Sequence, residues 1–465
     1  MRLSLRLVLA GALVGALLVV IVGQALVAPT LPLITEAGFA HEAITPNADG
    51  SDDITIFAYA VTRTAQVSLI LEGSGGNRFA FRENELRTPQ RYQVAFSGVV
   101  DGFSLPEDPE IEHEIARRLI PDDTYTWRLT ATDTTSGEQA EKSGQIVIRD
   151  GDAPLPLLSE FTVFPTEFTP NQDGILDRTQ VNIYLEKEAD LKVYLLPEIG
   201  EDDPIFLTER LEDVLPNERG RHQYDYAGGV DNNADPPPDG TYLLVAEAQD
   251  AVGQIIRRTS ALTIREGGKP YAEIVPQTIG VTVVFETRPW EDRFRTTRYE
   301  AGDLIDAPQN PDAPTRTTIS MPVGDVLVFK LTVENYSDVP IRTTGPEPGT
   351  VYEWDQRAAT FGRTDEPGAW RVGLDCTTAP SDYPWRWALG SAETLDVVVD
   401  PDTGVEYLYL APRERIVVWG AVRLTEIEAR NPQNCWAGLI HEDVEISQVN
   451  QNVGARSIFL VEEGG

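Results

Sequence analysis

The pattern T-P-N-x-D-G-x-x-D occurs twice in this chain and restricts its fold more than any other feature. Residues 45–53 read Thr-Pro-Asn-Ala-Asp-Gly-Ser-Asp-Asp, and residues 169–177 read Thr-Pro-Asn-Gln-Asp-Gly-Ile-Leu-Asp, an offset of 124. A second match follows in the same order. Tyr125, Trp127, Leu129 and Ala131 alternate and end at Asp133; Tyr242, Leu244, Ala246 and Ala248 alternate and end at Asp250, an offset of 117. Two matches, in order and at nearly equal offsets, indicate an internal repeat. Alternation of period two is the mark of a half-buried strand.

The segments between the matches agree. Val67, Leu69 and Leu71 alternate in the first copy; Val181, Ile183 and Leu185, then Leu191, Val193 and Leu195, alternate in the second. Each copy reads as an antiparallel β-sandwich, the first over 38–150 and the second over 158–267. Asp133 and Asp250 are expected to cap turns. One helix is expected, in an insertion near 104–120 of the first copy. Asp108 is placed to cap it, Pro109 suits its first position, and Glu114 and Arg118 stand four apart.

"FTPNQDGILD", "YDYAGGVDNN" and "PDGTYLLVAEAQDAVG" resemble the Ig-like module of the flagellar hook-capping family. They also resemble related modules that end many secreted and gliding-surface bacterial proteins. The resemblance covers roughly residues 40–267 and implies Ig-like sandwiches in an extracytoplasmic protein. The first copy departs from it where "PDDTYTW" lacks the glycine before tyrosine. It implies no flagellar role, because a membrane-type segment stands where a hook-binding region would be.

That segment runs from Leu7 to Ala28 after Arg2 and Arg6, with only Gln24 strongly polar. As a helix it would be about 33 Å long, enough for a bilayer core of about 30 Å. The basic flank directs the remainder out of the cytoplasm. Residues 1–28 are therefore expected to be an uncleaved membrane anchor, with a cleaved signal peptide as the rival. Either way the protein belongs to the cell envelope or outside it.

"REGGKPYAE" reads as a linker to a third all-β unit, 270–465. There Phe329, Leu331 and Val333 alternate, as do Leu395, Val397 and Val399. "VFKLTVENYSDVPI" followed by "GPEPGTVYEWDQ" resembles the Ig-like proteinase-inhibitor family, which supports a sandwich here too. The expected fold class is all-β: three consecutive Ig-like β-sandwich domains after an N-terminal transmembrane helix.

Composition narrows the function. Thirty-eight Lys and Arg against 74 Asp and Glu leave a net charge of -36, which repels phosphate backbones; nucleic acid is excluded as a partner. The four histidines show no metal spacing, and neither a nucleophile elbow nor a phosphate-binding loop is present. No enzyme is expected. Cys376 and Cys435 fit no zinc pattern, and in an exported chain they are expected to form a disulfide.

Two candidate sites remain. Asn47, Asp49 and Asp53, repeated as Asn171, Asp173 and Asp177, place hard oxygens on short glycine-bearing loops. Calcium is the expected cofactor if they are ligands; self-bonded turns are the alternative. Seven of the eight tryptophans lie in the third unit. Trp385 and Trp387 share a strand face and would make a sugar-stacking platform, or else fill a wide core. The expected role is structural, adhesive or binding, at the membrane through residues 7–28, with another envelope protein or a glycan as partner. Carbohydrate recognition and proteinase inhibition are the alternatives.

Overall fold

Thr55–Val61 and Ala65–Glu72 bury every second residue, as their alternation requires, so each presents one face to a core and one to water. In the computed structural model, which describes residues 13–17 and 31–462 apart from 107, 109–111, 198–202, 211–213, 278–280, 310–316, 363–365, 402 and 428, this pattern builds three successive sandwich units.

The two copies share their plan. In the first, Ile34–Phe39 runs antiparallel to Thr55–Val61, then the chain changes sheets and Ala43–Ile44 runs parallel to the end of Gln139–Ile148. In the second, Leu158–Phe164 pairs with Thr179–Leu185, and Glu167–Phe168 crosses to run parallel to the end of Ile255–Ile264. Each unit closes its own apolar core, around Phe57, Leu69 and Trp127 in one and Ile183, Leu195 and Leu244 in the other. The repeated tyrosines do the same work. The Tyr125 hydroxyl donates to the Pro121 carbonyl and that of Tyr242 to the Pro238 carbonyl, both at 2.7 Å, which pins the chain entering each strand. Asp133 and Asp250 cap turns, accepting from the amides of Thr135 and Ser136 and of Gly253 and Gln254.

The helix expected near 104–120 is corrected. Residues 109–111 lie outside the described residues, and Glu114–Leu119 is a strand. It pairs with Val99–Asp101 of its own unit and, through Glu114, Ile115 and Arg117, with Ile255–Arg257 of the second unit. Arg118 bonds Asp108 at 2.5 Å, and Glu114 faces Arg257. A helix this short gains little from one i,i+4 pair. The neighbouring open sheet edge offers backbone partners to Glu114, Ile115 and Arg117 instead.

The third unit has two five-stranded sheets and a separate three-stranded sheet ordered Ile341–Thr343, Glu406–Leu410, Asp396–Val399. Cys376 and Cys435 face each other in register on paired strands and form the disulfide. Among the described residues no helix is long and apolar enough to cross a membrane. Of the expected anchor, 13–17 is helical; 1–12 and 18–28 lie outside the described residues.

Candidate functional site

The two repeated loops fold on the same plan. The Thr45 and Thr169 hydroxyls donate to the carbonyls of Ser51 and Ile175, six residues on. Asn47 Oδ1 accepts from the Asp49 amide at 3.0 Å, and Asn171 Oδ1 from the Asp173 amide at 3.1 Å. Asp49 Oδ1 accepts from Ser51 and Asp173 Oδ1 from Ile175, both at 2.8 Å. Asp53 gathers the amides of Asn47, Ala48 and Gly50, and Asp177 those of Asp173 and Gly174. Gly50 and Gly174 have φ of 85° and 84°, the left-handed region that glycine enters without strain.

This geometry decides what the loops can hold. Each Asn and Asp of the pattern turns at least one side-chain oxygen onto the loop's own N–H groups. Among the described residues no group of three or more His, Cys, Asp or Glu is placed to hold a metal ion. Asn47, Asp49, Asp53, Asn171, Asp173 and Asp177 form a self-bonded turn in each copy.

The copies differ in what surrounds them. Asp49 and Gly50 are exposed, and a Cβ on Gly50 would meet nothing within 4 Å. Asn171 and Asp173 are buried, and a Cβ on Gly174 would lie 2.0 Å from the Pro367 carbonyl oxygen. Conversely, a Cβ on Gly368 would lie 2.2 Å from Asp173 C. The third unit has closed over the second loop at backbone contact.

Three side chains make the socket. Arg342 and Tyr409 are cross-strand partners in the three-stranded sheet. Both reach Asp173: Arg342 Nε donates to its carbonyl oxygen at 2.5 Å, and the Tyr409 hydroxyl to its Oδ2 at 2.8 Å. Arg342 is itself held by Glu366 at 3.1 Å and by the Pro367 carbonyl at 2.7 Å. His441 stacks on Trp370 with ring centroids 4.3 Å apart, and its Nε2 donates to the Gln172 carbonyl at 2.7 Å. The buried Asn335 amide donates to the carbonyls of Val339, Leu410 and Ala411, fixing the turn that leads into Ile341–Thr343.

Burial sets the electrostatics. It pushes the Asp177 carboxyl up to about 6, helped by the neighbouring charge of Asp173. It also raises Asp173, against the lowering effect of the Tyr409 bond. His441 is pulled down to about 4 by desolvation, against the bond to Gln172. The histidine therefore sits neutral in the socket, and it is a packed residue, not a ligand.

A second junction joins the first two units. Gln254 is fully buried between them. Its Oε1 accepts from the Leu119 amide at 3.2 Å, while Nε2 donates to the carbonyls of Asp152 and Pro154 and to Asp250. Lys187 bridges Asp152 and Asp250 at 2.7 Å each. With the pairing of Glu114–Leu119 onto Ile255–Ile264, one sheet runs through both units.

Trp385 and Trp387 are corrected as a ligand platform: both are 0% exposed. Trp387 packs edge-on against Phe329 and Tyr352 and donates to the Thr350 carbonyl; Trp385 lies against Trp354. The strand face they share is the inner one. Gly420 makes room, since a Cβ there would sit 2.3 Å from the Trp387 ring. Sugar stacking needs an open ring face, which neither offers.

Sequence reasoning missed Arg342, Tyr409, His441 and Gln254. No local signal marked them: the residues by which the second loop differs from the first include Leu176, which stays exposed.

No family model matches the chain, and no curated protein matches it. The hook-capping resemblance gains no support from either comparison. Solved structures similar to it include the tetra-tandem repeat in the extending region of a large adhesion protein. That match has 9% identity and a TM-score of 0.16, and covers 91% of this chain and 72% of that one. A chimeric titin Z1Z2 tandem matches at 13% identity and 0.17, over 49% and 98%. The D00-D0 domain of intimin matches at 12% and 0.14, over 50% and 97%. TM-scores of this size carry no argument, and the sandwich assignment rests on the strand order given above.

Proposed function

We propose that this chain is a non-enzymatic structural or adhesion-type protein in which three sandwich units act as one stiff spacer. The observation that carries this reading is the docking of the second acidic loop: Asp173 is held by Arg342 and Tyr409, residues 169 and 236 positions further along the chain. A flexible string of beads has no use for buried polar contacts at its joints, whereas a spacer that transmits position needs them. The Gln254 junction supports the same reading. The apolar run 7–28 would hold the spacer at a membrane, with the sandwich units outside the cytoplasm.

Spin labels on exposed sites of the first and third units, in the purified full chain, test the stiffness. The expected result is one narrow distance distribution that broadens in Arg342→Ala. A broad distribution in the wild type contradicts the reading. Alkaline extraction of membranes tests the anchor separately: the full chain is expected to stay in the pellet.

A further inference from the structure

The three-stranded sheet that carries Arg342 and Tyr409 has an open edge. Asp396–Val399 pairs with Glu406–Leu410 on one side, and among the described residues no strand pairs with its other side. All four of its residues are exposed; Val397, Val398 and Val399 are 40%, 52% and 54% exposed. Val397 and Val399 point to one face and Val398 to the other, so three apolar side chains flank a row of unpaired backbone groups. Soluble proteins usually blunt such an edge, because it templates pairing with another strand.

We propose that Asp396–Val399 is a docking edge for an extended segment of another protein, apolar at alternate positions and flanked by lysine or arginine. The flanking charges choose the occupant. Asp396 and Asp400 bracket the three valines. In an antiparallel pair of two copies centred on Val398, Asp396 of one would face Asp400 of the other. In a parallel pair each aspartate would face its twin. Like charges directly opposite one another destabilise a pair, and a net charge of -36 on each chain adds to the repulsion. A basic-flanked strand turns the same two carboxylates into attractions.

The chain already joins its units in this way, since Glu114–Leu119 of the first unit adds onto the sheet of the second. The open edge also belongs to the sheet that holds the second loop, so a strand added there would be continuous with an existing junction. Strand addition takes affinity from the main chain and specificity from alternate side chains. The proposal goes beyond the spacer reading and stands whether or not the joints are stiff.

The test is fluorescence anisotropy of the purified full chain with a labelled heptapeptide, Lys-Val-Thr-Val-Thr-Val-Lys. Saturable binding is expected. It should weaken at least about tenfold when the central Val of the peptide is replaced by Pro, which keeps the charge and removes a donor. Val398→Lys should weaken it comparably. Asp396→Lys, at an exposed position, should shift preference toward the same peptide flanked by glutamates. Absence of saturation, equal binding of the Pro peptide, or indifference to Val398→Lys would overturn the proposal. So would a sedimentation dimer of the wild type that Val398→Lys abolishes, which would assign the edge to a second copy.

Discussion

Tyr409 donates its hydroxyl to Oδ2 of Asp173 at 2.8 Å and so ties the third unit to a loop of the second. The carboxylate is buried, and desolvation raises it. Removing the donor leaves a buried acceptor short of a partner, which costs about 1–3 kcal/mol. Tyr409→Phe is therefore expected to lower the unfolding free energy by that amount, seen as a lower urea midpoint. Asp49→Ala, in the exposed copy of the same loop, should cost about 1 kcal/mol, the worth of a local cap. Urea titration followed by tryptophan fluorescence compares them.

Gly50→Ala and Gly174→Ala separate backbone strain from docking. Both positions have positive φ, so each substitution pays about 1 kcal/mol of conformational cost. Only the second also drives a methyl group to 2.0 Å from the Pro367 oxygen. Gly174→Ala is expected to open the junction and Gly50→Ala to leave it closed, read as a change in limited proteolysis near residue 268.

The socket contains groups with opposite pH responses. Asp177 is raised from 3.8 to about 6, so the folded state binds its proton more readily than the unfolded chain does. Its contribution is fully present below about pH 4 and is lost as pH rises through about 6. One pH unit is worth about 1.4 kcal/mol, so the loss is at most about 3 kcal/mol. His441 is lowered from 6.5 to about 4. Stability that depends on the neutral ring is present above about 6.5 and declines as pH falls toward 4. Asp177→Asn should reduce the loss with rising pH, leaving the part due to Asp173, whose carboxyl burial also raises, and His441→Gln should remove the loss with falling pH. Thermal melts of each variant between pH 4 and 7.5 show which slope disappears.

Gln254 is the corresponding test at the first junction. Gln254→Leu keeps much of the volume but strips partners from the Leu119 amide and the Asp152 and Pro154 carbonyls. A loss of about 2–4 kcal/mol is expected by urea titration, with greater mobility between the first two units.

The parts of this fold that were legible in the sequence are those set by neighbours in the chain. The repeated loop carries its own hydrogen-bond plan in Thr, Asn, Asp and Gly at fixed positions, so both copies close on the same plan. The alternation around Tyr125 and Tyr242 places the strands, and the Cys376–Cys435 pairing follows from two cysteines in an all-β unit. What was not legible depends on distant residues. Glu114–Leu119 has a local helix signal, and the edge of Ile255–Ile264 overrides it. Trp385 and Trp387 share a face, but the alternation does not say whether that face is inside. The socket joins residue 173 to residues 342 and 409, and no local pattern announces such a partnership.

The most direct measurement compares the two loops within one molecule by hydrogen exchange of the full chain. Their internal hydrogen bonds are largely shared, so the loops alone would show similar protection once each amide's rate is divided by its intrinsic sequence-dependent rate. If the third unit closes over the second, amides of residues 171–177 exchange at least about tenfold more slowly than those of 47–53, and Arg342→Ala removes the difference. Equal rates in the wild type would contradict the account.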